Sequence, residues 1–287
     1  MKKNDAAERC DKSSPEIAPS AGRNIVSESW TQYYRKRKGQ IEDGQNYWQM
    51  TSYNAYFLNK VQDEIRRRIA KDGPVVIWSA GSGIDPVSMN IKATFKNDVE
   101  LTLSDTSEDC ILANREAFAN HGLAARFLTG DLFDSEFNEE FDIVINTGLL
   151  EHFEPTDAER LLRRISQSLR PDGTYMTLVP YADGRLYRLC MARMKKKGTW
   201  ELGPEKPLST FKNLRSDQLV LVEERPIDAL FQLSFVPSAF PGMGSIALPA
   251  IVLMKNAPRV FEPIFMRVMS GYALYGKFVK ISRAPKE

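Results

Sequence analysis

The sequence predicts an α/β fold built on a mostly parallel sheet, and three observations predict it. The run Pro74-Val75-Val76-Ile77-Trp78-Ser79-Ala80-Gly81-Ser82-Gly83 is an apolar strand that ends in a glycine-bearing turn. A second apolar strand, residues 100–105, ends in Asp105 at the spacing of one αβ unit. Further apolar stretches at 125–129, from Phe141, and at 174–179 alternate with helical periodicity, as in a sheet covered by helices on both faces.

Taken in order, residues 1–24 are polar with almost no large apolar side chains, which predicts a disordered segment. Residues 25–72 are expected to form a helical N-terminal cap, beginning with an aromatic-rich stretch that holds Trp30, Tyr33, Tyr34, Tyr47 and Trp48. Tyr53, Phe57, Val61, Ile65 and Ile69 recur every four residues and share a helix face up to the Asp72-Gly73-Pro74 stop. The alternating core runs from Val75 to Val179. Within it, Thr156-x-x-Glu159 reads as a capping box ahead of Leu161, Leu162, Ile165 and Leu169, and Pro171-Asp172-Gly173 turns the chain into the next strand.

Beyond the core, residues 181–216 are basic and helical in their first half. Arg185, Arg188 and Arg193 to Lys197 make the densest basic stretch, read as a solvated helix face, with an anionic acceptor or carrier as the alternative. A sixth strand falls at 219–224 and a seventh at 271–279, inside a main domain of residues 73–287. Their connection, an insertion at 226–270, is far longer than a hairpin needs. From Ala229 to Met254 it carries no charged residue, yet Pro237, Pro241, Gly242, Gly244 and Pro249 interrupt it, which argues against a membrane span. Short helices packed on the core are expected there, and an apolar lid over an acceptor or a homodimer surface is the functional alternative.

The 287 residues suit one large domain with additions. A net charge of +2 gives no electrostatic argument for nucleic acid. Three cysteines without metal spacing (Cys10, Cys110, Cys190) and only two histidines, His121 and His152, predict neither a disulfide framework nor a metal. With no apolar leader after Met1, a cytoplasmic protein is expected.

Glycines at 81 and 83 let the backbone approach a ligand closely, and an acid at 105 suits the two hydroxyls of a ribose. The motif predicts an adenosine-containing cofactor. A dinucleotide turn needs G-x-G-x-x-G, and from Gly81 its third glycine falls on Pro86. A phosphate-binding loop needs a Gly-Lys-Ser/Thr ending, which is absent.

The turn instead resembles the first motif of the class I S-adenosylmethionine-dependent methyltransferases, an acid at the strand end followed by G-x-G-x-G. Gly81 and Gly83 match its last two glycines, while Ser79 replaces the first and Ile77 replaces the acid. Gly130-Asp131-Leu132, then Phe141-Asp142 through Leu150, His152 and Phe153, then the Pro171-Asp172-Gly173 turn, resemble later blocks of that family in the right order. The resemblance covers residues 53–181, with a weaker tail to 280. It implies a Rossmann-like seven-stranded sheet, mostly parallel with an antiparallel last strand, and S-adenosyl-L-methionine as cofactor with S-adenosyl-L-homocysteine as product.

By the same resemblance, Ser79, Ala80, Gly81 and Gly83 would pass close to the cofactor, Asp105 and Thr106 would meet the ribose, and Gly130, Asp131 and Leu132 the adenine. Asn146 and Thr147 would hold its amino-acid end. His152 would line the pocket or take a proton from the acceptor, with Glu151 the weaker candidate for that work. Tyr33, Tyr34 and Tyr47 would contact a small acceptor. Trp200-x-x-Gly203-Pro204-Glu205 is similar to a segment of small-molecule members.

Methyl transfer to oxygen or nitrogen of a small, partly apolar metabolite is the expected activity. A non-catalytic binding or regulatory subunit of the same fold is the alternative, fed by Ile77 and Ser79.

Overall fold

The computed structural model describes residues 50–281 apart from Leu202. Tyr33, Tyr34, Tyr47 and the segment 1–24 lie outside the described residues, as does the cap before Met50. Seven strands form one sheet: β1 (Val75–Ala80), β2 (Val99–Asp105), β3 (Arg126–Thr129), β4 (Phe141–Thr147), β5 (Leu169–Pro180), β6 (Leu219–Ile227) and β7 (Ala273–Lys280). Their spatial order is β3-β2-β1-β4-β5-β7-β6, parallel throughout except for β7, which runs antiparallel between β5 and β6. The expected Rossmann-like sheet is therefore present, and β6 and β7 form the expected antiparallel pair at one edge.

Eight helices accompany it among the described residues: α1 (Ser52–Asp72), α2 (Pro86–Phe95), α3 (Glu108–Asn120), α4 (Pro155–Ser168), α5 (Arg185–Lys196), α6 (Val236–Ala239), α7 (Gly244–Asn256) and α8 (Pro258–Met269). Successive residues of β1 point to opposite sides, as strand geometry requires. Ile77 packs with Phe57, Val61 and Ile65 of α1 and with Val87 and Ile91 of α2. Trp78 packs with Leu161, Leu162 and Ile165 of α4 on the other face. Both layers are closed to water, so β1 reads as a continuous apolar run rather than an alternating one.

Two local expectations change. The capping box is not made: α4 starts at Pro155, whose fixed φ suits the first helical position, with Glu154 at the N-cap and no side-chain cap bond. Glu159 accepts from the Arg215 backbone N–H at 3.2 Å instead. The Pro171-Asp172-Gly173 turn lies inside β5 as an irregularity, because Phe141 pairs with Leu169 but Ile143 with Thr174. Asp172 is left-handed there (φ 61°), and a Cβ on Gly173 would meet the Arg170 carbonyl oxygen at 2.7 Å. Only glycine fits.

Between β6 and β7 the chain forms a 3₁₀ segment (Ala229–Phe235) and then α6, α7 and α8. Leu230, Leu233 and Ile251 build a small separate core against Leu186, Phe261 and Phe265. Pro249 and Pro263 fall within α7 and α8, and no helix among the described residues is long and apolar enough to cross a membrane.

Candidate active site

β1 is where the order of the strands reverses, since β2 and β3 lie on one side of it and β4 and β5 on the other. Open α/β sheets place ligands at the carboxyl ends of the strands beside such a point. The turn after β1 is built for close approach: Gly81 and Gly83 have φ of 62° and 52°. A Cβ on Gly81 would stand 2.8 Å from Leu149 Cδ1.

Side chains of the next elements brace this turn. The Asp105 carboxylate, at the end of β2, accepts from the Gly83 N–H at 2.8 Å and from the Ser107 N–H at 2.8 Å. Asn114 of α3 donates to the Gly83 carbonyl at 2.5 Å and accepts from the Asp85 N–H at 3.1 Å. Ser79, where the family motif has glycine, donates its hydroxyl to Asp85 at 2.6 Å, and Asp85 caps α2 by accepting from the Ser88 N–H at 2.8 Å. Ile77, where the motif has an acid, is wholly buried in the core. Burial pushes the carboxyls of Asp85 and Asp105 above the ordinary range, against the downward pull of their hydrogen bonds.

A cavity of about 390 Å³ opens above these strand ends. It brings together Gly81, Gly83, Asp105, Thr106, Asp131, Leu132, Thr147 and His152 from the predicted set. Asp131 also accepts from the Phe133 N–H at 2.9 Å, which starts a 3₁₀ turn. Ser79, Ala80, Gly130 and Asn146 do not line it. Ser79 and Ala80 are buried at the end of β1. The Asn146 side chain points into the core, donating to the Tyr175 hydroxyl at 2.8 Å and accepting from Thr177 at 2.6 Å, so its amide is committed to the fold.

The far wall holds Tyr53, Glu151, Glu205 and Tyr272, residues with little local signal of a site in the sequence. Three bonds fasten the 203–206 loop to the turn after β4. The Lys206 N–H donates to the Glu151 carbonyl at 2.8 Å, His152 Nδ1 donates to the Pro204 carbonyl at 3.1 Å, and the Lys206 ammonium pairs with Glu154. Glu205 is thereby carried to the cavity beside Glu151, and the Tyr187 hydroxyl donates to it.

Burial drives the Glu151 carboxyl well above its usual range, and the nearby Glu205 carboxylate adds to the shift. Burial raises Glu205 to about 7, opposed by the Tyr187 hydroxyl and Lys195. A carboxyl raised in this way favours the fold below pH 4.5 and loses that contribution as pH climbs through 7. Burial also lowers the His152 imidazole, which keeps it neutral. Among the described residues, no group of three or more His, Cys, Asp or Glu side chains could hold a metal ion.

The basic stretch has a structural use. Arg193 and Lys197 donate to the Ala239 carbonyl at 2.9 and 3.0 Å, tying α5 to the segment that precedes β7.

Residues 77–173 match a family model described as a methyltransferase domain. No curated protein sequence matches the chain significantly. Solved structures resemble it widely. One is the 1,6-didemethyltoxoflavin-N1-methyltransferase of Burkholderia thailandensis, with 1,6-didemethyltoxoflavin and S-adenosylhomocysteine bound: 15% identity, 94% of this chain and 93% of that one, TM-score 0.55. Another is the magnesium protoporphyrin IX methyltransferase of Synechocystis PCC 6803 with bound S-adenosylhomocysteine: 13% identity, 90% and 99% coverage, TM-score 0.56. A third is a cyclase, SpnF, at 14% identity, 77% and 80% coverage and TM-score 0.51. The chain has the class I fold of S-adenosylmethionine-dependent methyltransferases.

Proposed function

We propose that this protein binds S-adenosylmethionine and transfers its methyl group to an oxygen or nitrogen of a small, partly apolar acceptor. The observation that carries the reading is one continuous cavity: it runs from the Gly81–Gly83 turn, Asp105 and Asp131 to ionisable groups at Glu151, His152 and Glu205. The residues suit the cofactor. Gly81 leaves a cradle that a Cβ would fill, Asp105 offers acceptors to vicinal hydroxyls, and Ile84, Leu132, Phe133 and Leu149 supply apolar walls for a purine and a methionine chain. When bound, the cofactor supplies an already activated methyl group on a sulfonium. The chain's own work is then to align the acceptor atom, exclude water and take up a proton.

The second reading, a non-catalytic member of the fold, is favoured by Ile77 and Ser79. The cyclase neighbour adds that the same architecture serves other chemistry. Titration calorimetry with S-adenosylmethionine separates the two. Saturable heat supports the enzyme, and no heat leaves only the scaffold.

His152 belongs to the pocket wall in this proposal: Pro204 holds its Nδ1, and the carboxyls of Glu151 and Glu205 line the same cavity and are preferred as proton acceptors. His152→Gln is expected to slow turnover by less than about tenfold. A loss of about a hundredfold or more would make it the base.

A further inference from the structure

We infer that the acceptor is a primary or secondary amine bound as its ammonium ion, held between Glu151 and Glu205, and that Glu205 takes its proton. The inference deepens the methyl-transfer reading and rests on it. Glu151 is 2% exposed, lines the cavity, and among the described residues its Oε2 has no hydrogen-bond partner. A buried carboxylate oxygen without a donor is costly, and a native fold keeps one where a ligand supplies the missing donor. Gly148, left-handed at φ 72°, lies beside Glu151, 3.4 Å from its Oε1 at the position a Cβ would take.

The other ionisable groups around the pair are His152, the tyrosines Tyr53, Tyr175, Tyr187 and Tyr272, and Lys195. His152 Nε2 is 3.9 Å from Glu151 Oε1 and stays neutral. Tyr187 and Tyr272 keep their phenol protons under the influence of burial and of the two carboxylates, and Tyr53 contributes a third hydroxyl-bearing ring. Among the described residues Lys195 is the cation that acts on Glu205, and its ammonium sits over the Trp200 ring at 5.8 Å. Tyr53 and Tyr272, whose ring centroids are 5.1 Å apart, bring aromatic rings to the cavity wall, and aromatic rings attract cations.

The charges balance at each stage. Two neighbouring buried carboxylates hold one proton between them at neutral pH, so the pair carries one negative charge against the ammonium's one positive charge. An N–H bond of the ammonium then breaks, the proton goes to Glu205, and the electron pair stays on nitrogen. Pair and amine are both neutral, so no isolated charge is left in the dry site. The nitrogen lone pair forms the new bond to the methyl carbon as the carbon–sulfur bond breaks toward sulfur. The methylated ammonium leaves as the cation, and Glu205 gives the proton it took to water, which restores the single negative charge of the pair.

The test uses the full chain in two calorimetric titrations at pH 8. S-Adenosylhomocysteine is added first and reports the donor site. Benzylamine, cyclohexylamine and butylamine follow, each set against the alcohol of the same skeleton. Amines are expected to bind at least tenfold more tightly than their alcohols, with the advantage shrinking below pH 7. Glu151→Gln and Glu205→Gln should each remove tenfold or more of amine affinity, with the S-adenosylhomocysteine heat showing that the pocket is intact. Glu205→Gln should also melt higher than the parent at pH 8, because the pair's one charge has left a buried site, while Glu151→Gln keeps that charge on Glu205. Equal binding of amines and alcohols, no amine binding by a protein that binds S-adenosylhomocysteine, or unchanged amine affinity in both variants would overturn the inference. The donor reading would survive any of those results and fails only if S-adenosylhomocysteine itself gives no heat.

Discussion

Asp105→Ala should weaken S-adenosylhomocysteine binding by about 1.5–3 kcal/mol, roughly ten- to a hundredfold, the scale for removing a charged hydrogen-bond partner. Two losses combine in it. The carboxylate is the proposed partner of the ribose hydroxyls, and it also receives the N–H groups of Gly83 and Ser107 at 2.8 Å each. One side chain thus fixes the glycine turn, starts the approach to α3 and faces the ligand. Asp105→Asn should do little better, because an amide must aim N–H protons at one of those two donors. Calorimetry reads the affinity, and thermal melting without ligand reads the bracing. Unchanged affinity with a lowered melting point would confine Asp105 to holding the turn.

What was legible in the sequence follows from how local each signal is. β1, β2 and β4 announce themselves because burial on both faces forces an unbroken apolar run, and Gly81 and Gly83 because a tight turn tolerates little else. The acceptor side was hard to read for the opposite reason. Glu151 and Glu205 stand 54 positions apart in the chain and meet only because the 203–206 loop is stitched to the turn after β4. An acid in a charged, exposed-looking stretch carries no local mark of burial. A signal did exist in the Trp200-x-x-Gly203-Pro204-Glu205 segment, where Trp200 Nε1 donates to the Gly203 carbonyl at 3.0 Å and shapes the loop. Asn146 is the reverse case. Its place at a strand end suggests a ligand contact, but Tyr175 and Thr177, on the neighbouring strand, take its amide into the core.

Glu64→Ala should cost about 3–5 kcal/mol of folding stability, the scale for stranding a buried charge. The helical periodicity of α1 gives no warning of this, since Glu64 and Arg68 sit beside Val61 and Ile65 on the face that enters the core. The Glu64 side chain is 2% exposed and pairs with Arg67 at 2.5 Å, Arg68 at 2.9 Å and Lys277 of β7 at 3.0 Å. Arg68 in turn donates to the Asp172 carbonyl at 2.7 Å and to Thr174 at 2.9 Å, gripping the irregular turn in β5. The network therefore joins α1 to two strands of the sheet. Burial alone would raise the Glu64 carboxyl, but Arg67, Lys277 and Arg68 outweigh it and hold the group at about 2, below its usual 4.5. A carboxyl lowered on folding stabilises above pH 4.5 and gives that up as pH falls toward 2, so the parent should lose stability across that window. Glu64→Ala should lose this part of the pH dependence while starting from a lower plateau. Urea unfolding at pH 7 and pH 3 measures both. The paired change Glu64→Leu with Arg68→Met removes the charge and its buried partner together and fills similar space, so it should cost less than Glu64→Ala alone. If the double variant is the weaker of the two, packing around Arg68 rather than its charge dominates the joint between helix and sheet.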